Sequence, residues 1–375
     1  MATSSGPKME TTTSSSESTS NIQNYELIKA MGSKNSSTSR EAQEAFAAFI
    51  GPVVQEVLLQ AGTAASVYTD APYDEDDSPS FPLDLYYDER NVDNHITVFS
   101  QSVAGGLPSS QIVGMQELKI ATYSLDAAVS FLKKYARRGR LDIAAKAIER
   151  MAQEVLVKQE RNAWAVVLKA LANGTTGGNS HALQITGTTT FSLDHMNQLM
   201  TRMKRINESF AAGTPAAAYS NGITDLYMGP ELMEDVRAFA YNAVGGTTGV
   251  NTVTDLPDGV REEIYRSAGA STIYGVTLNE LNELGIGKKY NTLYDSFTAS
   301  AFDASTDDLI VGVDNSKGAF IRPVAQQSET GGTFNAQADD QFAQRSEKVG
   351  FFGKIEEGRV CLDARAVVGL TLEAA

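Results

Sequence analysis

The sequence is short of the residues that most often carry chemistry: its 375 positions include one cysteine and three histidines. Cys361 cannot close an internal disulfide, and one Cys with three His is too few for a Cys/His zinc site. No apolar run approaches the ~18 residues of a membrane span. The N-terminus is polar where a signal peptide needs an apolar core, so no secretion leader is expected. Basic residues are outnumbered, 31 Lys and Arg against 46 Asp and Glu, for a net charge of −15. Polyphosphate repels such a chain, which argues against a general nucleic-acid or anionic-membrane binder. What is present is a 42% apolar composition, enough for a sizeable core, at a length that suggests two or three domains. The expectation is a soluble, acidic protein of a reducing compartment.

Twelve of the first 20 residues are Ser or Thr, so that stretch cannot offset its ordering entropy alone and reads as a flexible arm. A helix is expected from Ser39 to about Gln60, with Ser39 as N-cap and Phe46, Phe49, Ile50, Val53 and Val57 at helical spacing. Pro52 should break it near Gly51. Between Ser66 and Thr122 the pattern changes. Phe81, Leu83, Leu85 and Tyr87 alternate with polar residues, and Pro82 confines that strand to an edge. Ile96–Phe99 and Glu117–Ala121 also read as strands, separated by glycine and proline. A hairpin with so little bulky apolar surface must lie on something else. The strongest helix runs from about Leu141 to Ala172, where Ile148, Val155, Val166 and Val167 share a stripe that Asn173-Gly174 stops. At ~1.5 Å per residue it is about 48 Å long. Before it stands the densest basic cluster, Lys133, Lys134, Arg137, Arg138 and Arg140.

From Thr224 the pattern becomes α/β. Leu226–Met228 reads as a strand, and Gly229-Pro230 opens a helix whose inward face is Leu232, Val236 and Phe239. Ile273–Leu278, Leu309–Val313 and Ala319–Val324 read as strands, the last two joined by a hairpin loop over Asp314–Gly318. Phe351–Leu372 is β-rich and broken at Glu357-Gly358. There is no internal repeat.

Enzyme motifs fail. Gly287-Lys288 lacks the first glycine and the hydroxyl of a P-loop. Gly178-Asn179-Ser180-His181-Ala182 falls one residue short of a nucleophile elbow and follows a helix, so it reads as a loop. Asp194-His195 could be half of a triad, but His195 reads as a polar surface residue at a helix start. The acidic runs Asp74-Glu75-Asp76-Asp77 and Asp303–Asp308 lack calcium-loop spacing. Cys361 lies in an apolar strand and reads as a small core residue. No catalytic, cofactor-binding or metal-binding residue is expected.

The ordered set of pieces does carry a resemblance: polar arm, long acidic hairpin, very long helix, α/β domain and a return to β structure. It resembles the major capsid proteins of tailed double-stranded-DNA bacteriophages, which have the Hong Kong 97-type capsid fold. Asp225-Leu226-Tyr227-Met228-Gly229-Pro230-Glu231 resembles that family's axial-domain strand, turn and helix. Phe352–Val360 and Asp363–Val368 resemble its final hairpin. The resemblance covers roughly residues 40–375. It implies an α+β chain with an N-terminal arm (1–65), an extended β-hairpin loop (66–122), a peripheral domain with a long spine helix (123–215), an α/β axial domain (216–334) and a peripheral β return (335–375).

The implied role is structural. Copies would assemble, in the host cytoplasm, as hexamers and pentamers into the icosahedral head of a virion. That head encloses double-stranded DNA without sequence-specific binding. A scaffolding protein, a portal and a decoration or cement protein are the further partners the resemblance brings into view; no cofactor or membrane is implied. An encapsulin-type nanocompartment shell is the alternative with the same fold, and an enzyme of unknown mechanism the alternative without it. Some relatives weld the loop to a neighbour through a Lys–Asn bond, but residues 66–118 contain no Lys here. Residues 70–93 carry nine acidic side chains against Arg90 alone, and residues 133–140 five basic ones. Asp74, Glu75, Asp76 and Asp77 are therefore expected to face Lys133, Lys134, Arg137, Arg138 and Arg140 of a neighbouring subunit.

Overall fold

The computed structural model describes residues 26–47, 62–74, 77–82, 117–138, 141–176, 179–211, 222–239, 259, 262, 264, 266, 272–298, 302–326, 334–339 and 347–374. Along the chain, helices α1 (26–31) and α2 (36–47) come first. A 3-10 turn (Thr63–Ser66) leads into strands β1 (Thr69–Asp74), β2 (Ser80–Pro82), β3 (Glu117–Lys119) and β4 (Tyr123–Leu132). Helices α3 (Lys133–Arg137) and α4 (Leu141–Asn173) follow, then β5 (Thr175–Thr176), β6 (Asn179–Ser180), β7 (Ala182–Thr186) and α5 (Leu193–Ala211). Next are β8 (Asp225–Met228), α6 (Pro230–Ala238), β9 (Thr272–Ile273), β10 (Val276–Glu280) and α7 (Lys289–Thr298). The chain ends with β11 (Asp308–Val313), β12 (Phe320–Gln326), β13 (Asn335–Asp339), β14 (Lys348–Glu357), β15 (Val360–Cys361) and β16 (Val367–Glu373).

Two compact units divide these elements. One holds residues 1–61, 123–158 and 324–357. In it β14 is the central strand, paired antiparallel along its whole length with β4 and along half of it with β13. Its core is an aromatic and aliphatic cluster in which Phe46 and Phe131 flank Phe351, with Met151, Ala152 and Val155 from the first half of α4. Val155 is buried as its place on the stripe requires; the Ile148 side chain lies outside the described residues. Helix α2 begins earlier than the sequence suggests. Ser39 is not its N-cap: it lies inside the helix, buried, where its hydroxyl donates to the Met31 carbonyl at 2.6 Å. The arm 1–20 and the break near Gly51 lie outside the described residues.

The other unit holds residues 62–122, 159–323 and 358–375. Its main sheet is mixed, in the order β7-β16-β11-β8-β10-β9. All six residues of β11 are buried, as befits a strand covered on both faces. β16 pairs with it antiparallel from Asp308↔Leu372 to Val313↔Val367. One core cluster packs Trp164, Leu168 and Leu171 of α4 with Tyr227, Tyr290, Leu309 and Val311. A second packs α5 and α6 with Leu226, Ile310, Leu370 and Leu372. As expected, Gly229 is the N-cap and Pro230 the first residue of α6, and Leu232, Val236 and Phe239 are buried.

Two strand expectations are corrected. Ile273–Leu278 is a hairpin instead of one strand, turned at Tyr274 (φ 53°) and Gly275 (φ 80°). Asp314–Gly318 does not close a hairpin either. β11 and β12 belong to different sheets. A 3-10 turn over Asn315–Lys317 redirects the chain between them, with the Asp314 carboxylate capping the Ser316 amide and Gly318 left-handed.

Candidate assembly surfaces

The hairpin read from the sequence has a well-defined foot. β2 and β3 pair antiparallel at Ser80↔Lys119, Phe81↔Leu118 and Pro82↔Glu117, and the Ile120 amide donates to the Pro79 carbonyl at 3.1 Å. Pro82, which lacks an amide proton, sits in a two-stranded ribbon as its chemistry requires. The remainder, including Leu83–Tyr87 and Ile96–Phe99, lies outside the described residues.

The chain reaches that foot through a polar mount on α4. Glu160, Ala163 and Trp164 share one face at i, i+3, i+4 spacing. The Glu160 carboxylate accepts from the Thr63 hydroxyl at 2.6 Å and from the Ala64 amide, with both oxygens at 3.2 Å. The Trp164 indole donates to Thr63 Oγ1 at 3.2 Å, and the Tyr68 hydroxyl donates to the Ala163 carbonyl at 2.9 Å. Ser66 Oγ lies 2.7 Å from the Tyr227 hydroxyl. Burial pushes that phenol up to about 12, so it stays protonated. The Arg359 guanidinium lies over the Tyr68 ring, 4.7 Å from its centroid. Sequence reasoning missed this mount, because its groups are some 95 residues apart and Glu160 resembles any exposed helix glutamate.

The charged runs lie in different units. In the basic run, Lys134, Arg137 and Arg138 are exposed and Lys133 is half-buried; Arg140 lies outside the described residues. Arg137 is partly engaged, its Nε donating to the Gly32 carbonyl at 2.7 Å, and the Lys134 ammonium lies 5.2 Å from the Tyr135 ring. In the acidic run, Asp74 and Asp77 are exposed at the end of β1 and just beyond it; Glu75 and Asp76 lie outside the described residues. Asp77 is turned back locally, its carboxylate accepting from the Ser78 amide at 2.8 Å. Asp70 is committed within its own chain, 3.5 Å from Arg322.

Other reactive side chains among the described residues are buried or half-buried. His181 is buried, with Nδ1 2.9 Å from the Ala364 carbonyl, and burial lowers its pKa. His195, expected at the surface, is half-buried instead, and burial lowers its pKa too. Cys361 packs against the core, and burial pushes its thiol up to about 12. Asp308, at the start of β11, is 3% exposed. Its carboxyl accepts from the Ile286 amide while its other oxygen finds no partner among the described residues. Burial, with Glu231, Asp235 and Asp307 around it, raises its pKa to about 6. Among the described residues, no three His, Cys, Asp or Glu gather as a metal site would, and no helix is long and apolar enough to cross a membrane.

No family model matches the sequence, and no curated protein matches it. Solved structures do. The mature capsid of bacteriophage PhiM1 superposes with a TM-score of 0.51 over 83% of this chain and 87% of its own, at 8% identity. The fold is the Hong Kong 97-type capsid fold. The capsid of cyanophage P-SCSP1u gives 0.47 over 82% and 87%, at 12% identity. The SrpI encapsulin of Synechococcus elongatus gives 0.40 over 68% and 75%, at 9% identity. In this capsid fold α4 is the long helix, and the mixed sheet with α5 and α6 is the α/β body.

Proposed function

We propose that the chain is the shell subunit of a tailed-bacteriophage head. The superposition on the PhiM1 capsid, at 83% and 87% coverage, is the observation that carries this reading. Copies assemble as hexamers and pentamers into an icosahedral particle in the host cytoplasm. Residues 1–65 act as the arm, 66–122 as the extended loop, 123–215 and 335–375 as the peripheral domain and 216–334 as the axial domain. Scaffolding, portal and cement proteins are its expected partners, and packaged DNA is held without sequence readout. The loop lies over the next subunit, so that the acidic run Asp74–Asp77 meets Lys133, Lys134, Arg137, Arg138 and Arg140 of that neighbour. The exposure of Asp74, Asp77, Lys134 and Arg138 supports this.

The cargo of particles purified from the native source tests the reading. Nuclease-protected double-stranded DNA is the expected content. A particle filled with an enzyme and free of DNA would instead make this an encapsulin-type compartment.

A further inference from the structure

We propose that Glu160 is the positioning residue of the extended loop: with Thr63 and Trp164 it latches the chain at residues 62–68 to α4, and so fixes where the chain enters β1 on its way to β2. The consequence for assembly rests on the shell reading above; the latch itself rests on geometry. Ala64, Val67 and Tyr68 are already buried in the core around Trp164. Apolar burial holds a segment down but does not orient it, whereas hydrogen bonds are directional. Two donors converge on one carboxylate, the Thr63 hydroxyl and the Ala64 amide shared between both oxygens, and so turn the backbone at the first residues of the 3-10 turn. The approach needs glycine at position 62, because a Cβ there would lie 2.6 Å from Glu160 Oε1. Downstream, β1 pairs with β12, and the Asp70–Arg322 pair links the same two strands at 3.5 Å. On the return, Ile120 packs against Gly358, where an added Cβ would lie 3.1 Å from its Cγ2. Both strands of the loop are thus tied at their base, and the latch is the side-chain tie that precedes the pairing of β1 with β12.

Trp164 is the only tryptophan in the chain, so its emission reports the latch directly. The test compares full-length wild type with Glu160→Ala, Gly62→Ala and the conservative Glu160→Gln. Gly62→Ala removes no group and displaces only the flexible end of Glu160. It carries the comparison if Glu160→Ala does not fold. In Glu160→Ala and Gly62→Ala, Trp164 emission should shift to the red and the Ala64 amide should exchange about tenfold faster. Shell yield should fall several-fold in both, while Glu160→Gln keeps all three close to wild type. Spin labels at Asp77→Cys and Lys169→Cys, in a Cys361→Ser background, give a readout independent of shells: opening the latch should broaden their distance distribution. Wild-type shell yield with the latch open, or a label distribution that does not broaden, overturns the proposal. If wild type itself forms no shells, the shell reading fails, and the label distribution alone decides the role of Glu160.

Discussion

Asp308 shows how a single buried carboxyl gives the molecule a pH dependence. Its ordinary value is 3.8 and folding raises it to about 6, first by burial and then through Glu231. Ionisation therefore opposes the folded state. The stability tied to the neutral carboxyl is fully present below the ordinary value and is lost as pH rises through about 6. Asp308→Asn keeps an acceptor for the Ile286 amide and removes the charge. It should raise the free energy of unfolding at pH 7.5, by about 3 kcal/mol at most, with the gap closing near pH ~4. Thermal scans of both proteins across that range check this, and a less stable variant at pH 7.5 would contradict it. At this scale the sequence is uneven as a guide. Cys361 between Val360 and Leu362 announces its partial burial, because its neighbours are apolar. Asp308 does not announce its burial, nor Glu160 its partners, because carboxylates are usually exposed and only distant partners say otherwise.

Among the elements, α4 was the most legible and the turns between strands the least. Its 33 residues carry an apolar stripe long enough to overwhelm every competing pattern. Val155, 4% exposed, packs in the cluster that holds Phe131 and Phe351. Val155→Asp would bury an unpaired carboxylate there, at a cost on the order of several kcal/mol. The variant should be insoluble or molten, and recovery of soluble, assembly-competent protein would refute that packing. Strand β4 was overlooked although Leu125, Ala127, Val129 and Phe131 alternate. Two alanines weaken the signal, and the inward residues are only half-buried, alternating with exposed ones, until Phe131. The Asp314–Gly318 loop misled for a different reason. Its local chemistry suits a hairpin, but β11 is buried on both faces and takes β16 as partner, a choice fixed by tertiary packing. Tyr274 gives no warning of its left-handed turn, since aromatic residues seldom adopt one.

For the whole molecule, the proposed shell makes charge and covalency the terms that decide how copies would hold together. Each exposed ion pair contributes only ~0–1 kcal/mol, but pairs repeated at every contact can set register and association rate. Reversing Lys133 and Lys134 to Glu should slow assembly, most clearly at low salt where screening is weakest. Reversing Asp76 and Asp77 to Lys in the same chain should restore part of the rate. Light scattering follows both, and no rescue would leave the basic run as a solvated face. Because residues 66–118 contain no Lys, particles boiled in detergent under reducing conditions should release one band near 40.2 kDa; a ladder of covalent oligomers would show that the subunits are welded after all. The central claim is that this fold closes into a shell. Cryo-electron microscopy of particles formed by the purified full-length chain tests it most directly. The account predicts closed icosahedral particles with fivefold vertices and sixfold capsomers, each subunit traversed by the long rod of α4. A monodisperse small oligomer under all assembly conditions would contradict it.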